Sequence, residues 1–287
     1  MNNEILRTFL ILLVCALGAP KLDAAQPLTK VIMTTGSFSE REAAMYVAQD
    51  HGFFRRYGLD LSFVHVRSGP VGMAALASGE TQLHEGSVTG AVLGSAAEGT
   101  DLVFVAGLIN KLIGNIMASP NIKTPSDLKG KHIGVTSASG GSWMFTTLAL
   151  EYWGLDAKRD GITAQLPIPF QSTGIMTTRR FINSSPEVID AVVRGVVDSL
   201  AFIAQPENKP AVLKSLMKGL RLQKVEQAVE GYESLPRLYE RRIYPRADGV
   251  RNVIRLLGQT NEKIRKLKAE DLVDDRFVRK LEKEGRF

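Results

Sequence analysis

Small hydroxyl and glycine residues occur at two points in the stretch 64–97, each where a short apolar run gives way to a helical pattern. Ser68-Gly69-Pro70 lies at the first point and Gly86-Ser87-Val88-Thr89 at the second. At such a junction the free backbone N–H groups and the positive end of the helix dipole suit an anion or a hydrogen-bond acceptor. Two junctions side by side in a parallel sheet would line the crevice at the carboxyl ends of the strands. The chemistry expected is ligand binding without a catalytic side chain.

Side chains for metal binding or catalysis do not occur in recognisable patterns. The four histidines, His51, His65, His84 and His132, share no metal-ligand spacing, and we interpret all four as structural. The chain contains no G-x-S-x-G, G-x-x-x-x-G-K-[ST], H-E-x-x-H or G-x-G-x-x-G motif. We therefore expect no enzymatic activity, no catalytic residue, no metal and no cofactor.

Residues 1–25 have the pattern of a cleaved export signal. Arg7 precedes an apolar run from Phe9 to Leu17, and Ala24-Ala25 follow. The run is too short to span a bilayer but has the length of a signal-peptide core. We expect export to the periplasm and removal of Cys15, the only cysteine, which would leave no thiol for disulfides or metal ligation. Lipid attachment at Cys15 is the less favoured alternative, because Val14 is bulky for that processing.

The charge pattern argues against a nucleic-acid partner. The chain has 36 Lys and Arg against 30 Asp and Glu, and 44% of its 287 residues are hydrophobic. That is enough for one large or two ordinary domains. Basic residues are interleaved with acidic ones even in the densest clusters, 241–251 and 263–268, which indicates a solvated face. We expect a monomer.

The first third of the chain alternates strands and helices. Strands are predicted at 31–33, 59–66 and 102–106, with the two strand–helix units of 64–97 between the last two. Ser39 and Glu42 form a capping box at the start of the first helix. This order predicts an α/β fold with a parallel sheet.

The pattern changes after Asn110. Thr124-Pro125-Ser126-Asp127 predicts a short helix, 131–135 a strand, and 136–142 a third Ser/Gly turn that leads into a helix over 143–153. These elements look like the start of a second domain that faces the first. Residues 166–171 are predicted to return to the first domain. The tail predicts helices that pack back on it, at 188–203, 211–219, 223–240, 248–258 and 274–284.

Four segments carry a resemblance to a known family, namely Gly52 to Leu59, Ala75 to Glu80, Ser126 to Val135 and Gly174 to Ile182. In order, spacing and context they resemble the substrate-binding proteins of ABC importers. Within these, they resemble the SsuA/THI5-like branch for aliphatic sulfonates, nitrate, taurine and thiamine-pyrimidine precursors. The resemblance implies a periplasmic-binding-protein type II-like fold, with two lobes joined by two crossing strands and the ligand between the lobes.

The second lobe is shorter than the resemblance implies. Between the helix at 143–153 and the return segment there is only the brief apolar run 162–164. The missing piece is therefore on the order of one βαβ unit or more, at ~30 residues per unit. The predicted division is residues 1–25 as signal peptide, 26–117 plus 173–287 as lobe 1, and 118–172 as a truncated lobe 2. We expect that lobe to be weakly protected in hydrogen exchange and ligand binding to be weak or absent.

The resemblance favours ligand contact at the Ser/Gly turns, although capping alone explains each of them singly. Phe38 and Trp143 are expected either to line the cleft with their aromatic rings or to lie in the hydrophobic core. The core is favoured for Phe38. Glu85 is expected to order a turn or to face solvent. The predicted ligand-binding residues are Ser37, Phe38, Ser68, Gly69, Pro70, Gly86, Ser87, Thr89, Ser137, Ser139, Gly140, Ser142 and Thr173.

The implied function is capture of a small anionic or heterocyclic solute and its delivery to an ABC transporter permease in the inner membrane. The alternative is a non-transport periplasmic sensor or partner module, or a degenerate paralogue with a decayed ligand site. The nature of the ligand stays open, because sulfonate, nitrate and pyrimidine binders share this scaffold.

Overall fold

The computed structural model describes residues 27–114, 116, 118–135, 141–155 and 166–287. The predicted signal peptide with Cys15, the predicted strand at 162–164, and the predicted ligand residues Ser137, Ser139 and Gly140 lie outside these residues.

The described residues form one five-stranded sheet in the order β2-β1-β3-β5-β4. Its strands are β1 (Thr29–Thr35), β2 (Leu59–His65), β3 (Leu83–Gly86), β4 (Leu102–Leu112) and β5 (Leu166–Thr178). The pairs β1–β2 and β1–β3 are parallel, as predicted. The return strand β5 enters antiparallel between β3 and β4, so the sheet is mixed rather than purely parallel.

Helices cover both faces of this sheet. The first part of the chain forms α1 (Ala43–Asp50), α2 (Gly69–Ser78), α3 (Gly90–Ala97) and α4 (Gly141–Tyr152). The tail forms α5 (Arg179–Ser184), α6 (Pro186–Ile203), α7 (Lys209–Gly219), α8 (Val225–Leu238), α9 (Ala247–Leu257), α10 (Glu262–Arg265) and α11 (Arg276–Lys283). Short 3₁₀ turns lie at Glu40–Glu42, Arg55–Tyr57, Pro125–Leu128, Pro206–Asn208 and Ala269–Leu272.

Two hydrophobic clusters hold these layers together. The first contains α1, α6, α7, α8 and α11 on one face of the sheet, so the predicted return of the helical tail is confirmed. The second contains α2, α3 and α9 on the other face. Burial of this apolar surface from both sides is the main stabilising contribution to the fold.

Local signals at the helix starts are confirmed. Ser39 and Glu42 form the predicted capping box, in which the Ser39 backbone N–H donates to Glu42 Oε2 over 2.8 Å. Thr124 and Asp127 form a second box, with 2.7 Å from Thr124 N to Asp127 Oδ2. The longest tail helix, α6, begins at Pro186, two residues before the predicted range of 188–203.

The segment predicted as lobe 2 has no separate core among the described residues. Met144, Phe145 and Leu148 of α4 join the second cluster, together with Phe170 of β5. Glu151 on the same helix makes a bidentate ion pair with Arg255 of α9, at 2.7 and 2.6 Å. The described residues of this segment therefore pack against the main body.

The predicted strand at 131–135 is wrong. These residues have no strand or helix assignment, and Val135 is 36% exposed. A strand needs a neighbour to satisfy its backbone N–H and C=O groups. The described part of 118–155 contains no strand that could pair with this segment.

Candidate functional site

The carboxyl ends of β1, β2 and β3 lie at one edge of the sheet. Thr35, the last residue of β1, is in register with His65 of β2 and with Glu85 of β3. The turns after these three strands therefore emerge next to one another, and they hold Ser37 with Phe38, Ser68 with Gly69, and the segment 86–89. Here the structure brings together the first eight predicted ligand residues.

The first two turns are in direct backbone contact through Gly36. A Cβ atom at this position would lie 2.3 Å from the backbone nitrogen of Gly69 and 2.6 Å from the carbonyl carbon of Ser68. No side chain fits in that space, so only glycine allows the turns to approach so closely. The contact places Ser37 and Phe38 beside the start of α2.

Phe38 is 53% exposed, which makes the core interpretation of this residue wrong. Its ring meets the His65 ring edge-on, with 5.1 Å between centroids. His65 is fixed in turn, because its Nδ1 lies 2.8 Å from the Ser37 carbonyl oxygen and its Nε2 lies 3.2 Å from the Tyr46 hydroxyl. An aromatic face is thus held at the edge of the crevice, where a planar or apolar part of a ligand can pack against it.

The hydroxyl groups of the predicted turns have different roles. Thr89 caps α3, since its Oγ1 accepts a hydrogen bond from Val92 N over 3.4 Å. Ser68 occupies the N-cap position of α2, followed by Pro70 in the first turn, but its side chain makes no capping bond. Capping therefore explains the side chain of Thr89 but does not explain that of Ser68.

The third turn is attached to the return strand. Ser87 Oγ donates to the Ser172 carbonyl over 2.5 Å, and Val88 N donates to the Gln171 carbonyl over 2.9 Å. Gly86 pairs with Gly174 across β3 and β5. The hydroxyl of Ser87 is thus used within the protein.

Thr173, predicted to contact ligand, is 2% exposed. It lies within the polar part of β5, where Gln171 Nε2 donates to the Thr173 carbonyl over 3.0 Å. Its neighbour Ser172 donates through Oγ to the Lys111 carbonyl over 2.6 Å. The Ser172 bond joins β5 to β4, whereas the Gln171 bond lies within β5.

Two buried carboxyl groups lie behind the first turn. Glu85 is 0% exposed and Glu42 is 1% exposed, so the expectation that Glu85 faces solvent is wrong. The Glu42 carboxylate accepts hydrogen bonds from the backbone N–H and the hydroxyl of Ser39. The polar side chain that acts on the Glu85 carboxyl is that of Thr35, although it makes no well-formed hydrogen bond with either oxygen.

The environment of these acids favours their protonated forms. Burial raises the pKa of Glu85 well above its ordinary value, and the nearby charge of Glu42 raises it further. Burial also raises the pKa of Glu42, against hydrogen bonds from Ser37 and Ser39 that lower it.

The sequence analysis did not predict this buried pair of acids. The available signal was strand alternation, since Glu85 lies two residues after the core residue Leu83 and thus on the same face of β3.

The contacts of His84 and His51 agree with the structural role that the sequence analysis gives them. His84 is 2% exposed, and its Nδ1 lies 2.9 Å from Thr34 Oγ1. Burial lowers the pKa of His84 to about 4, so the ring is neutral near pH 7. His51 packs on Phe202 with 4.5 Å between ring centroids. The described residues contain no group of three or more His, Cys, Asp and Glu side chains placed to hold a metal ion.

The other predicted side of the crevice is the start of α4. Ser142 borders a cavity of about 530 Å³ between residues 116–134 and the first turns of this helix, and Lys131 and His132 border it too. His132 lies in an exposed, irregular segment and not in a strand as predicted. Trp143 is half-buried and packs against the second cluster.

Comparison with known proteins identifies the architecture. Residues 40–163 match the family model described as NMT1/THI5 like. This match confirms the resemblance predicted from the sequence. No curated protein matched the chain.

Several solved structures share the fold. The aliphatic sulphonate binding protein SsuA from Escherichia coli is 17% identical, with a TM-score of 0.66 over 86% of this chain and 92% of that one. The nitrate-binding protein NrtA from Synechocystis PCC 6803 is 11% identical, with a TM-score of 0.66 over 90% and 89%. A Candida albicans gene product with the generic periplasmic binding protein fold is 15% identical, with a TM-score of 0.61 over 87% and 96%. This chain has the periplasmic-binding-protein fold.

Proposed function

We propose that this protein is the extracytoplasmic solute-binding component of an ABC importer. It captures a small anionic or heterocyclic solute at the crevice bordered by the turns after β1, β2 and β3, and delivers it to a permease in the inner membrane. The observation that carries this proposal is the exposed ring of Phe38, which packs against His65. The adjacent turn holds Ser68, whose hydroxyl makes no capping hydrogen bond. The family match and the fold support it.

The N-terminal sequence agrees with a role outside the cytoplasm. The pattern of residues 1–25 predicts export. Among the described residues, no helix combines the length and the apolar character needed to cross a bilayer. Export is tested by fusing residues 1–30 to a reporter that is active only outside the cytoplasm, and a silent reporter would contradict it.

Binding is tested by thermal unfolding of the purified protein with a panel of sulfonates, nitrate, carboxylates and nitrogen heterocycles. A solute present at 100 times its Kd stabilises the folded state by about 2.7 kcal/mol, which raises Tm measurably. Phe38→Ala should remove this increase. The matched control is Val225→Ala, which truncates an exposed apolar side chain at the start of α8 and should leave the increase unchanged. An equal increase in both variants would place the ligand elsewhere.

The second candidate is a sensor or partner module whose ligand site has decayed. It is favoured by the described part of residues 118–155, which contributes one long helix and no strand to the second side of the crevice. Affinity in a two-lobed binding protein depends on closing both sides around the ligand. This candidate would be favoured if no solute of the panel raised Tm. It would also be favoured if the neighbouring gene encoded a sensor kinase rather than a permease and an ATPase.

A further inference from the structure

We propose that two copies of this chain form a dimer through the open edge of β2, with the two strands antiparallel and Val64 facing its own counterpart. The dimer requires no solute, so it goes beyond the proposed function, and it replaces the monomer expected from the sequence alone. Three observations carry it: the uncovered backbone groups at the end of β2, the exposed apolar side chains beside them, and the distribution of charge along the strand.

The two outer strands of the sheet, β2 and β4, differ in how their free edges are covered. Segments of the helical tail cover the edge of β4. Asp274 N donates to the Phe104 carbonyl over 2.8 Å, and Glu240 N donates to the Leu108 carbonyl over 2.8 Å. An uncovered edge presents N–H and C=O groups with which the strand of another chain can pair. The tail removes that possibility for β4, so β2 is the edge to inspect.

Alternate residues of β2 direct their backbone groups away from β1. Val66 N, just after the strand, donates to the Thr35 carbonyl of β1 over 2.8 Å. The Gly58 carbonyl, just before the strand, accepts from Thr29 N over 2.8 Å. Even-numbered residues of this stretch therefore face β1, and odd-numbered residues point their N–H and C=O groups outward.

The outward groups are used at the start of β2 but not at its end. Leu59 N donates to the Phe54 carbonyl over 3.1 Å, and the Leu61 carbonyl accepts a hydrogen bond from a glutamine side chain of α1 over 3.2 Å. The backbone N–H and C=O groups of Phe63 and His65 have no such partner within the described part of the chain. Another strand can therefore form hydrogen bonds with both of these residues.

Exposed apolar side chains lie beside this open stretch. Val64, Ile32 and Val71 are each between 39% and 41% exposed. Val64 is in register with Thr34, which packs against α2 at Gly72. Ile32 lies two residues before Thr34 and so shares this face of the sheet, while Val71 lies in the first turn of α2. Pairing at the edge of β2 would cover part of this apolar surface.

The strand lacks the features that commonly protect a free edge. β2 contains no lysine and no proline, and its pairing with β1 runs from Leu59 to His65 without a register shift, so it contains no bulge. The end of β2 is therefore a regular, apolar edge that is ready to pair.

The charges along β2 favour a second copy of the same chain. Asp60 lies near the start of the strand, and its exposed ion pair with Arg55 uses Oδ1. Arg67 lies just after the end of the strand and is exposed. In an antiparallel pair the start of one strand lies against the end of the other, so Asp60 of each copy approaches Arg67 of the other. Unlike charges thus meet at both ends of the interface.

One register uses the open groups of both copies. When Phe63 lies opposite His65 of the second copy, the outward groups of both residues exchange hydrogen bonds. The two-fold axis then passes between the two copies of Val64, which form a pair without mutual hydrogen bonds. In such pairs the side chains are closest, so the two valines are in contact.

The dimer should be weak, because the uncovered part of the strand is short. Interfaces that bury less than about 1,200 Å² are typical of weak or transient association. We therefore expect an equilibrium between one chain and two that depends on protein concentration.

The test is the weight-average mass from sedimentation equilibrium, over a concentration range on the order of 100-fold. The mass of the wild type should rise from that of one chain towards that of two. Val64→Lys and Val64→Glu should each shift the equilibrium roughly fivefold or more towards the single chain, since like charges then face each other across the axis. The matched control Val225→Lys alters a valine of similar exposure at the start of α8 and should leave the equilibrium unchanged.

A mixture of the two variants separates pairing at Val64 from a folding defect. Equal amounts of Val64→Lys and Val64→Glu should form the dimer again, because a lysine then faces a glutamate. A wild type that stays a single chain at every concentration would overturn the inference and leave the edge of β2 to a strand of another protein. Loss of the dimer in Val225→Lys, or a mixture without rescue, would overturn it too. None of these outcomes affects the proposed function, which the solute panel tests separately.

Discussion

The burial of Glu85 makes a prediction about stability that needs no ligand. In the unfolded chain this carboxyl ionises near its ordinary pKa of 4.5, whereas in the folded protein burial and Glu42 hold the pKa well above that value. Below pH 4.5 both states are protonated, and the group has no effect on stability. As pH rises above 4.5, the unfolded state loses a proton that the folded state retains, so the free energy of unfolding decreases until the folded pKa is reached.

The size of this effect follows from linkage. Each pH unit between the two pKa values removes about 1.4 kcal/mol of stability. The wild type should therefore lose stability through Glu85 at about this rate as pH rises from 5.5, until the folded pKa is reached. Glu85→Gln has the shape of the protonated side chain but cannot ionise, so it lacks this loss.

The assay is urea unfolding of both proteins at several pH values. The informative quantity is the difference in unfolding free energy, since acids with lowered pKa values, such as Asp190 and Asp274, contribute equally to both proteins. This difference should shift in favour of Glu85→Gln by about 1.4 kcal/mol per pH unit above pH 5.5, then level off at the folded pKa. A difference independent of pH would show that Glu85 ionises normally and would refute the argument from burial.

Three further predictions follow from single contacts. Ser87→Ala leaves the Ser172 carbonyl without its hydrogen bond and should lower the urea unfolding free energy by about 1 kcal/mol; no change would show that the bond is dispensable. Gly36→Ala places a methyl group 2.3 Å from the Gly69 nitrogen and should lower Tm through roughly 1–3 kcal/mol of strain, and a normal Tm would contradict the tight approach of the two turns. Because burial lowers the pKa of His84 to about 4 while the unfolded value is 6.5, stability should fall as pH drops through this window; an NMR titration midpoint near 6.5 would contradict it.

Local features of this protein were predictable from its sequence. Caps such as Ser39 with Glu42 and the start of α6 at Pro186 depend on residues a few positions apart, so the necessary information is contiguous. The alternating strands and helices likewise predicted a layered α/β fold, and the motifs from Gly52 onward predicted the family resemblance that the match over 40–163 confirmed. The return of the chain through β5 was also predicted, from the segment 166–171 that follows a shortened second lobe.

Tertiary structure alone decided the role of each site residue. Ser87 and Thr89 have the same local context, but only Ser87 meets a carbonyl 85 residues away, at Ser172. Glu85 is buried because β5 and the helices of the tail cover its strand, and no local pattern contains that information. The segment 131–135 is not a strand, since strand formation requires a partner that can lie anywhere in the chain. Hydrogen bonding and burial between distant segments depend on how the whole chain packs, and therefore only the folded protein shows which polar groups remain for a ligand.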